Sequence, residues 1–210
     1  MDSRTVNRFR RARGRILRRQ IDTLRSRKGR DLHILDVGGR PGYWENIGVD
    51  GIARIVLLNV SAAEVERKRK FDLFENRIGD ARDLRNFDDG SFDLVHSNSV
   101  IEHVGLWDDM CRMAAECMRV GAAGWVQTPA WEFPVEPHYR LPAVHWLAQP
   151  ARRAALRLSK TYGKLAIRDR RRHVDRINLL SGDEVRALFP GARIWVERFL
   201  LLPKSYVARW

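Results

Sequence analysis

The sequence has little cysteine, with two in 210 residues. Cys111 and Cys117 lie six positions apart in a predicted helix, which suits neither a disulfide framework nor a metal knuckle. No run approaches the roughly 20 apolar residues that span a bilayer. The first residues, 1–4, also lack the apolar character of a signal peptide. These absences exclude a disulfide-stapled secreted domain and predict a soluble, cytoplasmic protein.

Acidic residues are scarce relative to basic ones, 26 against 39, and the net charge is +13. The excess is concentrated, because residues 1–30 hold twelve Lys or Arg against two Asp, and residues 152–176 hold ten against two. Such segments suit an anionic partner, which is nucleic acid, a phospholipid surface, or a phosphorylated or sulfated substrate. Solvated helix faces have the same composition, so the charge leaves both interpretations open.

Residues 1–30 are predicted to form a basic amphipathic helical arm. An arginine stripe at helical spacing lies opposite an apolar stripe. The first comprises Arg4, Arg8, Arg11, Arg15 and Arg18, and the second comprises Val6, Phe9, Ile16, Leu17 and Leu24. This pattern is typical of a helix that lies on a membrane interface, and equally of one that packs over its own domain.

Strand and helix signals alternate along residues 31–210, which we interpret as one domain. The strands are predicted at 33–37, 54–59, 76–78, 92–97 and 124–128, and the helices at 62–70, 107–119, 150–162 and 181–189. Two runs rich in β-formers, 192–200 and 205–210, close the chain as an antiparallel pair. The alternation predicts an α/β fold with a Rossmann-like, doubly wound, seven-stranded sheet that is mostly parallel and ends in a C-terminal antiparallel hairpin.

The segment after the first strand is a glycine turn, where a backbone without Cβ lets a ligand approach closely. It resembles class I S-adenosylmethionine-dependent methyltransferases of the methyltransferase type 11-like bacterial family, whose first strand ends in Leu-Asp-x-Gly-x-Gly-x-Gly. Leu35, Asp36, Gly38 and Gly42 match this pattern, whereas Arg40 replaces the central glycine. The resemblance implies that the turn contacts the methionine part of the cofactor.

Later strands extend the resemblance to residues 33–104. The run 92–104, Phe-Asp-Leu-Val followed by Ile-Glu-His-Val, is the most specific match. Asn59 stands where the family has an acidic residue for the ribose, and Asp80 stands at the adenine position. The resemblance implies S-adenosylmethionine as cofactor and S-adenosylhomocysteine as product. The implied cofactor contacts are Asp36, Gly38, Gly39, Arg40, Gly42, Asn59, Val60, Asp80, Ala81, Ser97 and Asn98.

No metal is expected. Some relatives hold a divalent ion with Glu-x-x-Glu-His, but here Ser99 takes the place of the first carboxylate before Glu102 and His103. A hard cation such as Mg²⁺ needs several oxygen ligands, which this run does not supply. We therefore predict that Glu102 and His103 form hydrogen bonds near the cofactor.

A segment at about 129–178 is predicted to be an insertion, with an acceptor loop followed by a basic helix. His138 is our candidate general base, because the ordinary histidine pKa lies near neutrality. Aromatic, histidine and carboxylate side chains of the same loop are candidate acceptor contacts. They are Trp131, Glu136, Tyr139, His145 and Trp146. The alternative is that the loop packs as a lid and its histidines are structural.

The sequence therefore predicts an enzyme that transfers a methyl group to oxygen or nitrogen of a small-molecule, lipid or glycan-type acceptor, anionic if the basic segments contact it. Peripheral membrane contact is compatible with the first basic segment. One alternative is an RNA methyltransferase whose basic segments track phosphates, although no RNA-binding module is recognisable. Another is a non-catalytic protein with the same fold, because Arg40 and Asn59 depart from the family pattern.

Overall fold

The computed structural model describes residues 8–62, 71–160 and 162–210. Seven strands form one sheet in the order β3-β2-β1-β4-β5-β9-β8. The strands of this sheet are β1 (Leu32–Val37), β2 (Ile52–Asn59), β3 (Phe74–Ile78), β4 (Leu94–Asn98), β5 (Gly124–Pro129), β8 (Arg193–Phe199) and β9 (Leu202–Arg209). Two further strands, β6 (Val135–Glu136) and β7 (Leu141–Pro142), pair with each other apart from it.

Strands β1 to β5 are parallel, and β9 and β8 close the sheet in antiparallel pairing. The doubly wound sheet and its closing hairpin confirm the predicted fold. The strand order reverses between β1 and β4, and ligands of such sheets bind beyond the carboxyl ends of the strands at that point. The sheet therefore places Val37 and Asn98, the last residues of β1 and β4, beside the expected site.

Helices cover both faces of the sheet. They are α1 (Arg8–Lys28), α2 (Pro41–Ile47), α3 (Trp107–Val120), α4 (Gln149–Ala155), α5 (Ile167–Asp175) and α6 (Gly182–Leu188). One hydrophobic cluster joins the sheet to α3 and α6, and another joins it to α1 and α2. Ser181 caps α6 through a reciprocal pair of hydrogen bonds with Glu184, as its sequence signature indicates.

The basic helix α1 packs on its own domain, which is one of the two interpretations that the sequence left open. Leu17 and Ile21 have no exposed surface, and burying each contributes about 1.5–3 kcal/mol. Arg13 points inward too, with its guanidinium 2.6 Å from Glu197 on β8. Arg4 and Val6, the first members of the two predicted stripes, lie outside the described residues.

The inserted segment has a small core of its own. Tyr139, Val144, Leu156, Val174 and Ile177 pack together there. The helix predicted at 150–162 is shorter than expected, because α4 passes into a single 3-10 turn at Leu156–Leu158, and α5 was not predicted. The helix predicted at 62–70 falls outside the described residues, apart from its first position. None of the described helices combines the length and apolar character needed to cross a membrane.

Candidate functional site

A cavity of about 930 Å³ lies at the carboxyl ends of β1 and β4, within the usual size range of small-molecule sites. It is bounded by the glycine turn, α2 and the first half of α1. Six of the predicted cofactor contacts line it, namely Asp36, Gly38, Gly39, Arg40, Gly42 and Asn98. These predicted cofactor contacts, at the ends of β1 and β4, therefore surround the same cavity.

The glycine turn has no room for side chains at two of its positions. Gly38 adopts a φ of +70°, and a Cβ there would lie 2.5 Å from Cγ2 of Val100. A Cβ on Gly39 would lie 1.8 Å from Oδ2 of Asp36. The Gly38 amide donates to the Leu58 carbonyl at 2.8 Å, which ties the turn to β2. The packing of the turn against Val100 and Asp36 therefore requires glycine at both positions, and both residues line the cavity.

A buried hydrogen-bond network holds the floor of the cavity. Asp36 accepts from Nε1 of Trp44 at 2.6 Å, and its other oxygen lies 2.6 Å from Nδ1 of His96. All three residues are buried, and the ring of Tyr43 packs 4.8 Å from that of His96. Sequence reasoning missed Trp44 and His96, although Trp44 belongs to the turn itself. Asp36 therefore shapes the site by fixing α2 and β4 against β1.

Arginines of α1 form the opposite wall of the cavity. They are Arg8, Arg10, Arg11, Arg15, Arg18 and Arg19. The helix approaches α2 closely at Gly14, where a Cβ would lie 2.8 Å from Cγ2 of Ile47. With Arg40 of the glycine turn, these side chains give the cavity a strongly positive wall. Sequence analysis identified the arginine stripe but not its position over the glycine turn.

The β2 and β3 residues of the predicted site do not line this cavity. Asn59 is buried and donates from Nδ2 to the Gly39 carbonyl at 3.0 Å, so it supports the turn from behind. Asp80 accepts from Arg82 through both carboxylate oxygens. The hydrogen bonds and charge of Arg82 hold the Asp80 pKa below its usual range. Val60 is exposed and Ala81 is buried in the core.

The two β4 residues differ in their surroundings. Ser97 is fully buried, and its hydroxyl donates to the Val37 carbonyl at 3.2 Å, which is a bond within the sheet. Asn98 lines the large cavity, and its buried Oδ1 has no hydrogen-bond partner among the described residues. Asn98 is therefore placed to meet a ligand, as is His96, which lines the same cavity and whose Nε2 has no hydrogen-bond partner among the described residues.

The acceptor segment lines a second, smaller cavity of about 270 Å³. Trp131, Glu136, Tyr139 and His145 border it, whereas Trp146 lies outside its lining and donates from Nε1 to the Trp131 carbonyl at 3.0 Å. The Tyr139 hydroxyl donates to a backbone carbonyl of α5, which gives it a structural bond. The structure separates these predicted acceptor contacts from the glycine-turn cavity.

His138 lies beside two residues of the turn that follows β4. Its Nδ1 is 2.6 Å from Oε1 of Glu136, and its Nε2 is 3.9 Å from Oε1 of Glu102. The ring of His103 contacts it edge to face at 4.7 Å. Sequence reasoning named all four residues but did not predict that they meet.

Burial and charge shift the pKa values of this cluster in different directions. Burial raises the pKa of Glu102 to about 7 and lowers that of His103 to about 4. Burial also lowers the pKa of His138, but the hydrogen bond and charge of Glu136 outweigh it, so the net pKa is raised. The cluster therefore places two histidines whose pKa values shift in opposite directions beside a buried carboxyl group whose pKa is raised.

Part of the chain matches a known protein family. Residues 35–124 match a family model described as a methyltransferase domain. The match spans the glycine turn, β4 and α3. It confirms the predicted resemblance and supports S-adenosylmethionine as the cofactor of an enzyme.

Two Mycobacterium tuberculosis proteins, described as "Uncharacterized protein Rv1509" and "Uncharacterized protein MT1557", are each 37% identical over 51 residues. The matched segment covers 24% of this chain and 17% of each relative. The chain thus spans a small part of those proteins.

Solved structures share the fold at low identity. A SAM dependent methyltransferase from Archaeoglobus fulgidus aligns with a TM-score of 0.56 at 13% identity, covering 96% of this chain and 94% of that one. A SAM dependent methyltransferase from Aquifex aeolicus aligns with a TM-score of 0.53 at 13% identity, covering 86% and 83%. Both alignments cover more of the chain than the 35–124 match does.

Proposed function

We propose that this chain, which carries a methyltransferase domain over residues 35–124, transfers the methyl group of S-adenosylmethionine to an oxygen or nitrogen of a small-molecule, lipid or glycan-type acceptor. The main support for the proposal is the cavity at the carboxyl ends of β1 and β4, which is lined by Gly38, Gly39 and Gly42. S-adenosylhomocysteine is the product. A cytoplasmic location belongs to the same proposal.

The cofactor is proposed to lie with its methionine part against Gly38–Gly42 and Asn98. Its ribose is assigned to Asn59 and Val60, and its adenine to Asp80 and Ala81, on the resemblance alone. Asn59 keeps its carbonyl oxygen for a hydroxyl, because its amide nitrogen is engaged with Gly39. Asp80 must release Arg82 before it can accept from an adenine amine, since both of its oxygens are occupied.

The acceptor is proposed to be anionic. Six arginines of α1 and Arg40 face the same cavity as the glycine turn. Cationic side chains in a cleft attract a phosphate, sulfate or carboxylate group and raise its local concentration. The planar guanidinium also binds such groups through paired hydrogen bonds. An acceptor that carries one of these groups would be held beside the methyl donor.

Methyl transfer is an in-line displacement in which the acceptor lone pair forms the new bond to the methyl carbon while the carbon–sulfur bond breaks. Sulfur keeps that electron pair and leaves as a neutral thioether. A hydroxyl acceptor must also lose its proton, and we propose that His138 accepts it. Glu136 orients the His138 ring, because its Oε1 lies 2.6 Å from Nδ1. We keep Trp131, Glu136, Tyr139, His145 and Trp146 as proposed acceptor contacts; because they lie at or beside the second cavity, an acceptor that meets them must extend from there to the glycine-turn cavity.

Calorimetry with S-adenosylmethionine tests the cofactor, and labelled S-adenosylmethionine with matched anionic and neutral acceptors tests the chemistry. We expect micromolar binding, and label only in acceptors that carry an anionic group. Undetectable cofactor binding would favour a non-catalytic protein with this fold. Labelled RNA, with affinity that falls steeply with salt, would favour the RNA alternative instead.

A further inference from the structure

Three potential metal ligands converge at the end of β4. Oε1 of Glu102 lies 3.9 Å from Nε2 of His138 and 4.0 Å from Nε2 of His103, and the three ligand atoms lie within 4.8 Å of one another. Bonds from a transition metal to imidazole nitrogen or carboxylate oxygen measure about 2.0–2.2 Å, so two ligand atoms on one ion lie up to about 4 Å apart. A small inward movement of the exposed His103 ring would close the triangle.

Glu102 offers a buried oxygen that a cation could bind. Its side chain has no exposed surface, and Oε1 has no hydrogen-bond partner among the described residues. A buried carboxylate without a partner is costly, because the charge has lost its hydration. The unpartnered oxygen faces the two imidazole rings, which is where a cation would satisfy it.

Each ligand is also held by an outer partner. Thr128 donates from its hydroxyl to Oε2 of Glu102 at 3.0 Å, which leaves Oε1 for the cluster. Glu136 fixes Nδ1 of His138, so Nε2 points toward Glu102. His103 has a hydrogen bond with the backbone of Arg176. Metal-binding histidines almost always have such partners, which fix the ring orientation and strengthen the ligand.

We propose that Glu102, His103 and His138 bind a divalent transition metal. Two imidazoles and one carboxylate suit zinc or iron-like ions rather than magnesium, which prefers oxygen ligands. Three protein ligands leave open positions on the ion. An acceptor oxygen in one of them would lose its proton to water more readily, and this would replace direct proton transfer to His138 in the metal-loaded protein.

The sequence predicts no metal at this place because Ser99 replaces the first carboxylate of the known motif. His138 follows His103 by 35 residues and belongs to another segment, so spacing alone gives no ligand set. The fold supplies the third ligand by returning the acceptor segment to the end of β4.

Zinc titration of the protein, after removal of metal with a chelator, tests the proposal. We expect one Zn²⁺ per chain with a Kd of about 1 µM or tighter. The isosteric Glu102→Gln and the His138→Ala variants should weaken binding by at least about 100-fold, and Glu136→Gln by about 10- to 100-fold. His33→Ala, which changes an exposed histidine of β1, is the matched control and should bind as the parent does.

Binding that is absent from the parent protein, or unchanged in Glu102→Gln and His138→Ala, would overturn the metal site. Circular dichroism checks that each variant is folded. Cofactor binding is measured separately in the same metal-free protein, so that failure of the metal site and failure of the proposed methyl transfer are distinguished.

A second, independent feature is the turn between β8 and β9. It presents four consecutive apolar side chains, Phe199, Leu200, Leu201 and Leu202, with exposed fractions of 39%, 82%, 91% and 46%. Single exposed leucines are ordinary on protein surfaces, whereas a contiguous apolar tip marks an interaction site.

Basic side chains lie against the Phe9 ring, which contacts Phe199 at one side of this tip. Phe9 at the start of α1 packs 5.9 Å from the ring of Phe199, and Nζ of Lys204 lies 3.4 Å above the Phe9 ring. Arg8 and Arg11 are exposed on the same turns of α1 and also line the large cavity. An apolar tip beside basic side chains matches the two forces that hold peripheral proteins on anionic bilayers.

The geometry points to insertion of this tip into an anionic lipid surface, which would bring the large cavity to a lipid acceptor. Sedimentation with vesicles of phosphatidylglycerol and phosphatidylcholine tests it, with phosphatidylcholine vesicles as reference. We expect binding to the anionic vesicles only, reduced at least about 10-fold by the Leu200→Ser/Leu201→Ser double variant. Leu158→Ser, which changes an equally exposed leucine of the inserted segment, should leave binding unchanged.

Equal binding by the double variant and the parent would overturn the membrane proposal. So would a dimer in sedimentation velocity that the double variant converts to monomer, because the tip would then be an interface between copies of the chain. Methyl transfer to a water-soluble acceptor is measured in parallel, so that a loss of vesicle binding can be distinguished from a loss of enzymatic activity.

Discussion

The two sides of the predicted cofactor site differ in what occupies their polar groups. At the ends of β1 and β4, Gly38 and Asn98 open onto a large cavity. At the ends of β2 and β3, Asn59 binds the Gly39 carbonyl, and Asp80 is held by Arg82. The first side is ready for a ligand as it stands, whereas the second is engaged with the protein itself.

This difference follows from how each side is built. The β1 side depends on missing Cβ atoms and on one buried carboxylate, Asp36, which fixes its neighbours. The β2 and β3 side depends on side chains that already have partners in the protein, the Gly39 carbonyl for Asn59 and the guanidinium of Arg82 for Asp80. The methionine part of the cofactor should therefore bind to a preformed surface, and the adenosine part should bind with rearrangement of Arg82.

The largest effect is expected for Gly38→Val. The side chain would clash with Val100 and would require a left-handed backbone, so it should displace the turn that the cofactor must approach. We expect a loss of S-adenosylmethionine affinity of at least about 100-fold, or roughly 3 kcal/mol, by calorimetry.

Gly29→Val is the matched control for Gly38→Val. Gly29 has a φ of +66°, close to that of Gly38, but no atom of the described residues lies within 4 Å of its Cβ position. It carries the same backbone strain away from the site. Retained affinity in Gly38→Val, or equal loss in the two variants, would contradict the assignment of the turn.

Asp36→Asn should reduce stability more than affinity. The amide retains the size of the side chain but removes the charge that Trp44 and His96 meet in a buried network. Hydrogen bonds to charged groups contribute roughly 1.5–3 kcal/mol each, so we expect the free energy of unfolding to fall by about 2 kcal/mol. Urea denaturation measures it, and Asp183→Asn, on an exposed ion pair, should change it by under about 0.5 kcal/mol.

Asn59→Asp distinguishes the family pattern from the structure. The pattern favours a carboxylate at this position, which would strengthen bonds to ribose hydroxyls. The structure instead shows that Nδ2 donates to the Gly39 carbonyl, and a carboxylate would lose that bond and repel the carbonyl. We expect weaker cofactor binding by about 5- to 10-fold, corresponding to roughly 1 kcal/mol, by calorimetry. Tighter binding would show that Asn59 does not support the turn.

The smallest effect is expected for Arg82→Ala, which frees Asp80. Partly exposed ion pairs contribute about 0.2–1 kcal/mol, so affinity for S-adenosylmethionine should rise by roughly 2- to 5-fold. Asp80→Asn together with Arg82→Ala should cancel the gain. An unchanged affinity in Arg82→Ala would mean that Asp80 does not contact the cofactor.

Much of the fold could be predicted from the sequence, because its signals are local. Buried parallel strands are continuous apolar runs, and Gly38 and Ser181 mark a turn and a helix start by their chemistry. The packing of α1 could not be predicted, since an arginine stripe opposite an apolar stripe fits a membrane and a protein core equally well. The burial of Arg13 could not be predicted either, because it depends on an ion pair with Glu197, which lies far along the chain.

The part of the candidate site that is formed by the backbone of the glycine turn could be predicted from the sequence. The part that depends on contacts between distant residues could not. Gly38 and Gly42 were predicted from a glycine turn that follows a strand and from its resemblance to the methyltransferase pattern. His96 was missed because nothing local distinguishes a strand histidine that meets Asp36 from any other buried one. The meeting of Glu102 and His138 likewise depends on the path of the inserted segment, which has no periodic signal.

A crystal structure of the protein with S-adenosylhomocysteine tests the central claim most directly. The account predicts the amino-acid part of the ligand against the backbone of Gly38–Gly42, with Asn98 in contact and Arg82 turned away from Asp80. A ligand bound elsewhere, or a glycine-turn cavity filled by the side chains of α1 in the presence of saturating ligand, would contradict it.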